Sequence, residues 1–275
     1  MSWYLNRKGE RLWYEDEGGG CPVVLVHGWC MSSAVWKYQF DGLAASMRLL
    51  APDLRGHGRS NGVSGGLDFE TFAEDLVDLF DRLDLAKVVL AGWSMGAQIA
   101  LQASAELSGR LAGIVLVSAT PRFTASDDFP HALARNEVIG MRLKVQRNTQ
   151  RAVDGFYARL FAAGELENHP SAAEIKQLLS AITPPDTAAV LDALDALAGA
   201  DMRNLLATIS VPTLILNGAL DQICLPQASC YLKARIPDSR LTVFSDSGHA
   251  PFLTKSDRFN AQIIRFVRRV CEQNA

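Results

Sequence analysis

The sequence lacks the features that would place the protein in a membrane or on a nucleic acid. No apolar run approaches the roughly 20 residues that a membrane-spanning helix needs. The formal net charge is only −3, which gives no overall attraction to nucleic acid or to an anionic membrane. Residues 1–8 lack the long apolar core of a signal peptide. We therefore expect a cytoplasmic protein that binds neither membrane nor nucleic acid.

Cysteine and histidine are scarce, and neither has the spacing of a metal site or of a disulfide framework. The cysteines are odd in number, and no two form Cys-x-x-Cys; they are Cys21, Cys30, Cys224, Cys230 and Cys271. We expect reduced thiols, and we interpret Cys30 as a small packing residue. No histidine cluster offers metal-ligand spacing. We therefore expect no metal and no other cofactor. We also expect a monomer.

The length of 275 residues is sufficient for one large α/β domain with an inserted subdomain. Trp3–Leu5 and Leu12–Tyr14, separated by a polar turn, predict an opening antiparallel hairpin. Apolar runs then alternate with helical patterns, which is typical of a mostly parallel central sheet flanked by helices. The runs that predict these strands are Pro22–Val26, Arg48–Asp53, Val88–Ala91, Gly113–Val117, Val211–Gly218 and Arg240–Phe244.

Two helices can be placed from their apolar periodicity. Thr71 and Glu74 predict a capping box at the start of the first, whose apolar stripe runs from Phe72 to Leu83. The second is predicted from about Asp257 to Val270. In both, apolar residues recur at intervals of three and four, so that one face packs against the sheet.

Residues 121–203 interrupt the alternation of strands and helices. They contain no strand-like run, only helical patterns separated by Pro130, Pro170 and the pair Pro184-Pro185. The insertion begins where a strand ends, and in open α/β sheets ligands bind at the carboxyl ends of the strands. We therefore predict a helical lid at 121–203 on a core formed by 1–120 and 204–275. The alternative is that these helices only pad the sheet.

The segment Gly92-Trp93-Ser94-Met95-Gly96 lies between a predicted strand and a predicted helix. Gly-x-Ser-x-Gly in this position is typical of a nucleophile elbow, a turn so tight that it strains the serine and admits only small neighbours. The alternative is that this segment is only the start of a helix that contains glycines. The context favours Ser94 as a nucleophile for acyl transfer.

An oxyanion hole is predicted beside this serine. Acyl transfer requires backbone N–H donors at the oxygen that becomes negative, and each is worth about 3–4 kcal/mol in mutational tests. In an elbow enzyme one donor is the residue after the nucleophile and the other lies in the loop after an early strand. These positions are Met95 and Trp29.

A base and an orienting carboxylate follow downstream. His249 comes after a late strand, and Asp221 follows the strand before it, so Ser94, Asp221 and His249 occur in the chain order of a hydrolase triad. Neutral imidazole can accept the serine proton, and the carboxylate fixes its tautomer. Asp246 is the competing carboxylate. The other histidines fall in glycine-bearing loops or in the insertion; they are His27, His57, His131 and His169.

The sequence resembles the α/β-hydrolase superfamily along the chain outside the insertion. The blocks that match are Val26-His27-Gly28-Trp29, Asp53–Ser60, Gly92–Gly96, Gly218–Asp221 and Gly248–Phe252. The resemblance is closer to the pimeloyl-acyl-carrier-protein methyl ester carboxylesterases of biotin synthesis. That likeness rests on Trp36 seven residues after Trp29, on Gly-Trp-Ser in the elbow, and on the stretches Ser118–Phe123, Asp127–Pro130 and His249–Phe252.

This closer resemblance implies an ester substrate delivered by an acyl carrier protein that docks on lid arginines. The stretch 135–159 is rich in basic residues, and the candidates for docking are Arg142, Arg147 and Arg151. Trp29 and Phe156 would contact the substrate. Gly155 stands where the family leads us to expect another arginine, and Glu165, Glu167 and Glu174 make the later insertion acidic. The alternative is that the basic stretch is only a solvated helix face.

The leading hypothesis is therefore a carboxylic-ester hydrolase that acts through an acyl-enzyme. A second hypothesis keeps the fold and changes the substrate: a small-ester or lactone hydrolase, a C–C bond hydrolase or a cofactor-free perhydrolase. A third is a non-catalytic ligand receptor on this fold. The presence of all three triad residues argues against the third.

Overall fold

The computed structural model describes residues 2–271, and one eight-stranded sheet organises them. Its strands are β1 (Ser2–Leu5), β2 (Arg11–Glu17), β3 (Pro22–Val26), β4 (Arg48–Pro52), β5 (Val88–Trp93), β6 (Leu111–Val117), β7 (Thr213–Gly218) and β8 (Ser239–Phe244). The spatial order is β1-β2-β4-β3-β5-β6-β7-β8. β1 pairs antiparallel with β2 and β2 antiparallel with β4, whereas every later pairing is parallel. The predicted hairpin and mostly parallel sheet are confirmed.

Within residues 2–271, ten α-helices connect or flank these strands. They are α1 (Lys37–Leu43), α2 (Phe69–Arg82), α3 (Met95–Ala103), α4 (Arg135–Arg147), α5 (Thr149–Ala158), α6 (Ala172–Ala181), α7 (Thr187–Gly199), α8 (Pro226–Arg235), α9 (Pro251–Thr254) and α10 (Ser256–Cys271). Every residue of β5 is buried, and β3 is buried from its second residue onward. These continuous apolar runs suit strands that are covered on both faces.

The boundaries of two helices test the sequence interpretation. α10 buries the apolar face that the periodicity predicts, including Phe259, Ile263 and Phe266. The predicted capping box at Thr71 is wrong, because α2 begins two residues earlier and Asp68 is its N-cap. The Asp68 side chain accepts a hydrogen bond from the Thr71 N–H. An aspartate accepts this bond as well as a threonine does, so propensity alone does not separate the two starts.

A disulfide joins Cys21, beside β3, to Cys271 at the end of α10, and it links positions 250 residues apart. The expectation of reduced thiols is therefore wrong for these two cysteines, while Cys30, Cys224 and Cys230 are free. Spacing gave no signal, because the pair is brought together only by the packing of α10 on the sheet. Disulfides are rare in reducing compartments, so the cytoplasmic location stays a prediction.

The insertion between β6 and β7 contains α4, α5, α6 and α7. No strand of the sheet lies within it in the part of the chain that the structure describes, although short bridges such as Arg122–Asp201 occur near its ends. Residue 1 and residues 272–275 of the predicted core lie outside the described residues. No helix that the structure describes is long and apolar enough to cross a membrane.

Candidate active site

Ser94 occupies the sharp turn between β5 and α3, as the motif predicts. Its backbone has φ 55° and ψ −115°, a conformation that side-chain-bearing residues rarely adopt. A Cβ on Gly92 would collide with the backbone of Gly96, and one on Gly96 would collide with the carbonyl of Val26. The two glycines are thus required by close backbone approach, and the turn lifts Ser94 to the carboxyl edge of the sheet.

His249 and Asp221 form a pair with no side-chain exposure to solvent. His249 Nδ1 lies 2.8 Å from Asp221 Oδ2. The other oxygen, Oδ1, accepts hydrogen bonds from the backbone N–H groups of Ile223 at 2.8 Å and Cys224 at 3.0 Å. Both carboxylate oxygens are therefore fixed, which sets the orientation of the carboxylate and, through it, of the imidazole ring.

Asp246 does not reach His249. It is exposed, and its carboxylate pairs with Lys255 at 2.8 Å and with Arg258 at 3.3 Å. The hydrogen bond from Lys255 lowers the pKa of Asp246. Of the two carboxylates that the sequence left in competition, the structure brings Asp221 to the imidazole.

The second ring nitrogen of His249 is free for proton transfer. Nε2 is buried and has no hydrogen-bond partner in the structure. Burial raises the pKa of the nearby Cys224 thiol, the charge of Asp221 raises it further, and a hydrogen bond with the Ser94 side chain opposes them. An imidazole nitrogen without a hydrogen-bond partner can accept the serine proton when the substrate binds.

Both predicted oxyanion residues lie beside Ser94. Met95 is the first residue of α3, where backbone N–H groups have no partner within the helix. Trp29 follows Gly28, and a Cβ on Gly28 would lie 3.4 Å from the Ser94 Cβ, so this loop passes directly over the serine. The role of these two N–H groups stays a prediction.

The Trp29 side chain connects the core to the insertion. Its Nε1 donates a hydrogen bond to the carbonyl of Val190 in α7, at 3.1 Å. Its ring meets Phe156 of α5 edge-on, with centroids 4.9 Å apart. Tyr157 donates from its hydroxyl to the carbonyl of Cys30, at 2.6 Å. The structure therefore brings together the two residues predicted to contact the substrate.

A cavity of about 600 Å³ opens beside Trp29 and Phe156, and α4 and α5 form its other walls. It is markedly basic, because the charged residues of its lining are Lys144, Arg147, Arg151 and Arg159. Gly155 also lines it, and no atom lies within 4 Å of where a Cβ would stand. An arginine expected at this position would fill space that is open here.

The candidate docking arginines differ in their surroundings. Arg142 is paired with Asp195 at 2.9 Å and does not line this cavity. Among the described residues, no ion pair engages the guanidinium of Arg147 or of Arg151. Arg147 and Arg151 are therefore available to an anionic ligand, whereas Arg142 already has a partner within the insertion.

Some residues around the site were not found from the sequence. Trp93 Nε1 donates a hydrogen bond to the backbone carbonyl of His249 at 2.9 Å, and its ring packs against Phe252. The position between Gly92 and Ser94 is variable in the motif, so the motif itself gave no signal for this contact. Among the described residues, no group of His, Cys, Asp or Glu could hold a metal ion.

His27 and His57 lie side by side in the core near the site, with ring centroids 5.3 Å apart. Burial lowers the pKa of His27 to about 4 and that of His57 to about 3. His27 Nε2 accepts a hydrogen bond from the Leu54 N–H at 3.1 Å, which fixes the neutral ring in its loop. Both rings are fully buried and have lowered pKa values, as expected for neutral histidines that pack within the core.

Because of His27 and His57, we expect the protein to lose stability in mild acid. Their folded pKa lies below the unfolded value of about 6.5, so between about pH 4 and 6.5 the unfolded chain binds more protons. Their contribution is complete above pH 6.5 and falls as the pH drops through that window. We expect each to lower the free energy of unfolding by about 2 kcal/mol between pH 7 and pH 5. Urea titrations at both pH values measure this.

The variant His57→Asn should lose about 2 kcal/mol less than the wild type over the same pH interval. His131→Asn, at a partly exposed histidine, is the control for the replacement of an imidazole by an amide. If His57→Asn lost as much free energy of unfolding as the wild type between pH 7 and pH 5, the pKa of His57 would not be lowered by its burial.

Known proteins resemble this chain over almost its whole length. Residues 22–256 match the family described as alpha/beta hydrolase fold. A pimeloyl-[acyl-carrier protein] methyl ester esterase of Nitrosospira multiformis is 30% identical over 94% of this chain and 98% of the relative. The chain belongs to the α/β-hydrolase family. Both resemblances that the sequence motifs indicate, to the superfamily and to these esterases, are confirmed.

Solved structures agree with this assignment. An esterase from Exiguobacterium antarcticum matches this α/β-hydrolase with a TM-score of 0.89 and 29% identity, over 97% of this chain and 99% of that one. A bromoperoxidase from Bacillus anthracis matches with a TM-score of 0.87 and 27% identity, over 97% and 100%. The fold predicted from the sequence, an α/β-hydrolase sheet with an insertion of helices, is the fold observed.

Proposed function

We propose that this α/β-hydrolase is a serine carboxylesterase that removes the methyl ester from a pimeloyl chain carried by acyl carrier protein. The observation that carries the esterase activity is the buried His249–Asp221 pair beside the strained Ser94. The substrate is supported by the relative from Nitrosospira multiformis, whose name gives that reaction, and by the basic cavity next to Trp29.

The chemistry follows from the groups at the site. Ser94 Oγ attacks the ester carbonyl while His249 Nε2 accepts its proton, and Asp221 stabilises the resulting imidazolium. The negative oxygen of the tetrahedral intermediate accepts hydrogen bonds from the Trp29 and Met95 N–H groups. His249 then protonates the departing methoxide to methanol. Water, activated by the same nitrogen, attacks the acyl-enzyme and releases the free carboxylic acid.

The inserted helices act as the lid in this proposal. Val190 and Phe156 hold the Trp29 side chain from two different helices of the insertion, and Tyr157 holds the Cys30 carbonyl next to it. The lid thereby encloses the acyl chain and excludes water from the ester. Residues 121–203 form the lid, and 1–120 with 204–275 form the core.

An acidic carrier protein would approach along the basic cavity. Arg147, Arg151 and Lys144 are exposed and line the cavity that Trp29 also lines, and no ion pair within the described residues neutralises the two guanidinium groups. Opposite charges across an interface steer association and fix orientation. Arg142 contributes less to carrier docking than the sequence suggests, because Asp195 already binds it.

Reversing Arg147 and Arg151 to Glu should raise KM for the carrier-linked ester by about 10-fold or more, with little change for a soluble p-nitrophenyl ester. The effect should shrink at 1 M salt, where the Debye length is only about 3 Å. Steady-state kinetics with both substrates at two salt concentrations measure this.

The matched control is the reversal of Arg265 and Arg268, two exposed arginines on α10, which changes the net charge equally. It should leave both substrates unaffected. Equal losses on both substrates in the Arg147/Arg151 variant would mean that these arginines only hold the lid. A variant with unchanged kinetics would remove the physical support for carrier docking.

A second candidate, a small-ester hydrolase or perhydrolase with the same triad, is supported by the esterase and bromoperoxidase neighbours. Comparing kcat/KM for pimeloyl-carrier-protein methyl ester, free methyl pimelate and p-nitrophenyl acetate tests the choice. The proposed function requires kcat/KM for the carrier-linked ester to exceed that for the free methyl ester by at least about 10-fold, which corresponds to about 1.4 kcal/mol of transition-state free energy.

That the protein is a monomer and lies in the cytoplasm stays a prediction. Light scattering tests the first part, and cell fractionation tests the second.

A further inference from the structure

Glu165 is an acidic residue of the insertion whose carboxylate makes contacts unlike those of a surface charge. It lies between α5 and α6 and is half-buried. Its Oε1 accepts hydrogen bonds from the hydroxyls of Ser247, at 2.7 Å, and Thr254. Its Oε2 accepts from the backbone N–H groups of Gly248, at 2.7 Å, and Ala162, at 2.8 Å. All four donors are neutral.

Two of these donors immediately precede His249 in the chain. The same stretch of the insertion also binds the histidine backbone directly, because the Leu160 carbonyl accepts from the N–H groups of His249 at 2.8 Å and Ala250 at 3.2 Å. A Cβ on Gly248 would stand 2.8 Å from the Leu160 carbonyl oxygen and 2.8 Å from the Ala162 nitrogen. The glycine thus allows the backbone of the insertion to pack against the histidine loop.

The core holds the same loop from the opposite direction. Trp93 Nε1 donates to the His249 carbonyl, and Asp221 binds Nδ1. The ring is therefore fixed by Asp221, while the backbone that carries it is fixed by Trp93 on one side and by Leu160 and Glu165 on the other. Glu165 makes two hydrogen bonds to this loop, with the Ser247 hydroxyl and the Gly248 N–H, so its side chain ties the loop to the insertion at two neighbouring residues.

We propose that Glu165 is a positioning residue for His249. Its carboxylate binds the Ser247 hydroxyl and the Gly248 N–H, and it thereby holds the loop that carries the His249 imidazole. This inference rests on the proposed role of His249 as the base. A misplacement of about 1 Å in a catalytic group can cost on the order of 100-fold in rate.

The position of the oxygens, rather than the negative charge, should matter most. In Glu165→Gln the amide oxygen can accept from Gly248 and Ala162, while the amide NH₂ donates to the hydroxyls of Ser247 and Thr254, which can also act as acceptors. Glu165→Asp keeps the charge but withdraws it by one methylene, beyond reach of the full set of donors. Gln should therefore preserve function better than Asp.

The test measures kcat and KM for each variant with both a carrier-linked and a small soluble ester. Glu165→Ala should lower kcat about 100-fold on both esters with KM nearly unchanged. Glu165→Asp should lose at least about 10-fold, and Glu165→Gln should stay within about 3-fold of the wild type. Glu167→Ala, at an exposed glutamate of the same loop, is the matched control and should be unchanged.

Thermal unfolding verifies that each variant is folded at the assay temperature. If Glu165→Ala is unfolded there, the comparison of kcat between Glu165→Asp and Glu165→Gln tests the positioning role instead. Wild-type kcat in Glu165→Ala or in Glu165→Asp overturns the positioning role. So does a rise in KM alone, which would make Glu165 a lid contact for substrate. A wild-type protein without esterase activity and without labelling of Ser94 overturns the proposed function itself, and the two failures are thereby distinguished.

Discussion

Ser94→Ala is expected to lower kcat by about 10⁶-fold while leaving the fold intact. Alanine has no atom that can attack the carbonyl, and the remaining oxyanion hole and cavity can give only weak catalysis. The Ser94 side chain is small and sits at the edge of the sheet, so its loss leaves the packing of β5 and α3 unchanged. Ester hydrolysis and thermal unfolding of both proteins measure the two parts of this expectation.

Ser118→Ala is the matched control for this change. Ser118 directly follows β6, the strand next to β5, and it too is a buried serine with positive φ, at 45°. It should retain wild-type kcat, because strain and burial alone do not make a nucleophile. Turnover by Ser94→Ala near the wild-type rate would remove Ser94 from the mechanism.

Asp221→Asn is expected to lower kcat by about 10⁴-fold. The amide can still accept hydrogen bonds from Ile223 and Cys224 through its oxygen, so the loop should be preserved. Its NH₂ would then face His249 Nδ1 and donate to it, which places the imidazole proton on Nε2. A protonated Nε2 cannot accept the proton of Ser94. Steady-state kinetics with a soluble ester measure this loss without involving carrier docking.

Asp246→Asn provides the matched control, because this exposed carboxylate lies three residues before His249 and binds only Lys255 and Arg258 among the described residues. It should cost less than about 2-fold in kcat, since its loss removes only surface ion pairs. If Asp246→Asn were the more damaging of the two changes, the carboxylate that orients His249 would have been assigned wrongly.

The sequence predicts those parts of the structure that depend on local pattern. β3 begins and ends where its apolar run does, and the elbow at Ser94 is recognisable because glycines are required on both sides. Asp221 and Asp246 both follow the carboxyl end of a parallel strand, so this position predicts that a carboxylate lies near His249 without choosing between the two. The strand and the elbow are each decided by a short local pattern.

The features that the sequence did not predict depend on contacts between distant segments. Cys21 and Cys271 pair only because the fold brings the end of the last helix next to the residue that precedes β3. The sequence marks Glu165 only as part of an acidic stretch, yet its partners Ser247, Gly248 and Thr254 lie 82 to 89 residues away and are neutral. The sequence does not distinguish Arg142 from Arg147, although Asp195 forms an ion pair with Arg142. Composition and periodicity carry no information on such pairings.

The central claim is that hydrolysis passes through an ester of the substrate acyl group on Ser94. The most direct measurement is intact-mass spectrometry of protein quenched with acid within milliseconds of mixing with excess ester, followed by peptide mapping. The proposed mechanism predicts a mass increase equal to the acyl group, located on the peptide that contains Ser94 and absent from Ser94→Ala. Turnover at the wild-type rate with the acyl group on another residue would contradict it.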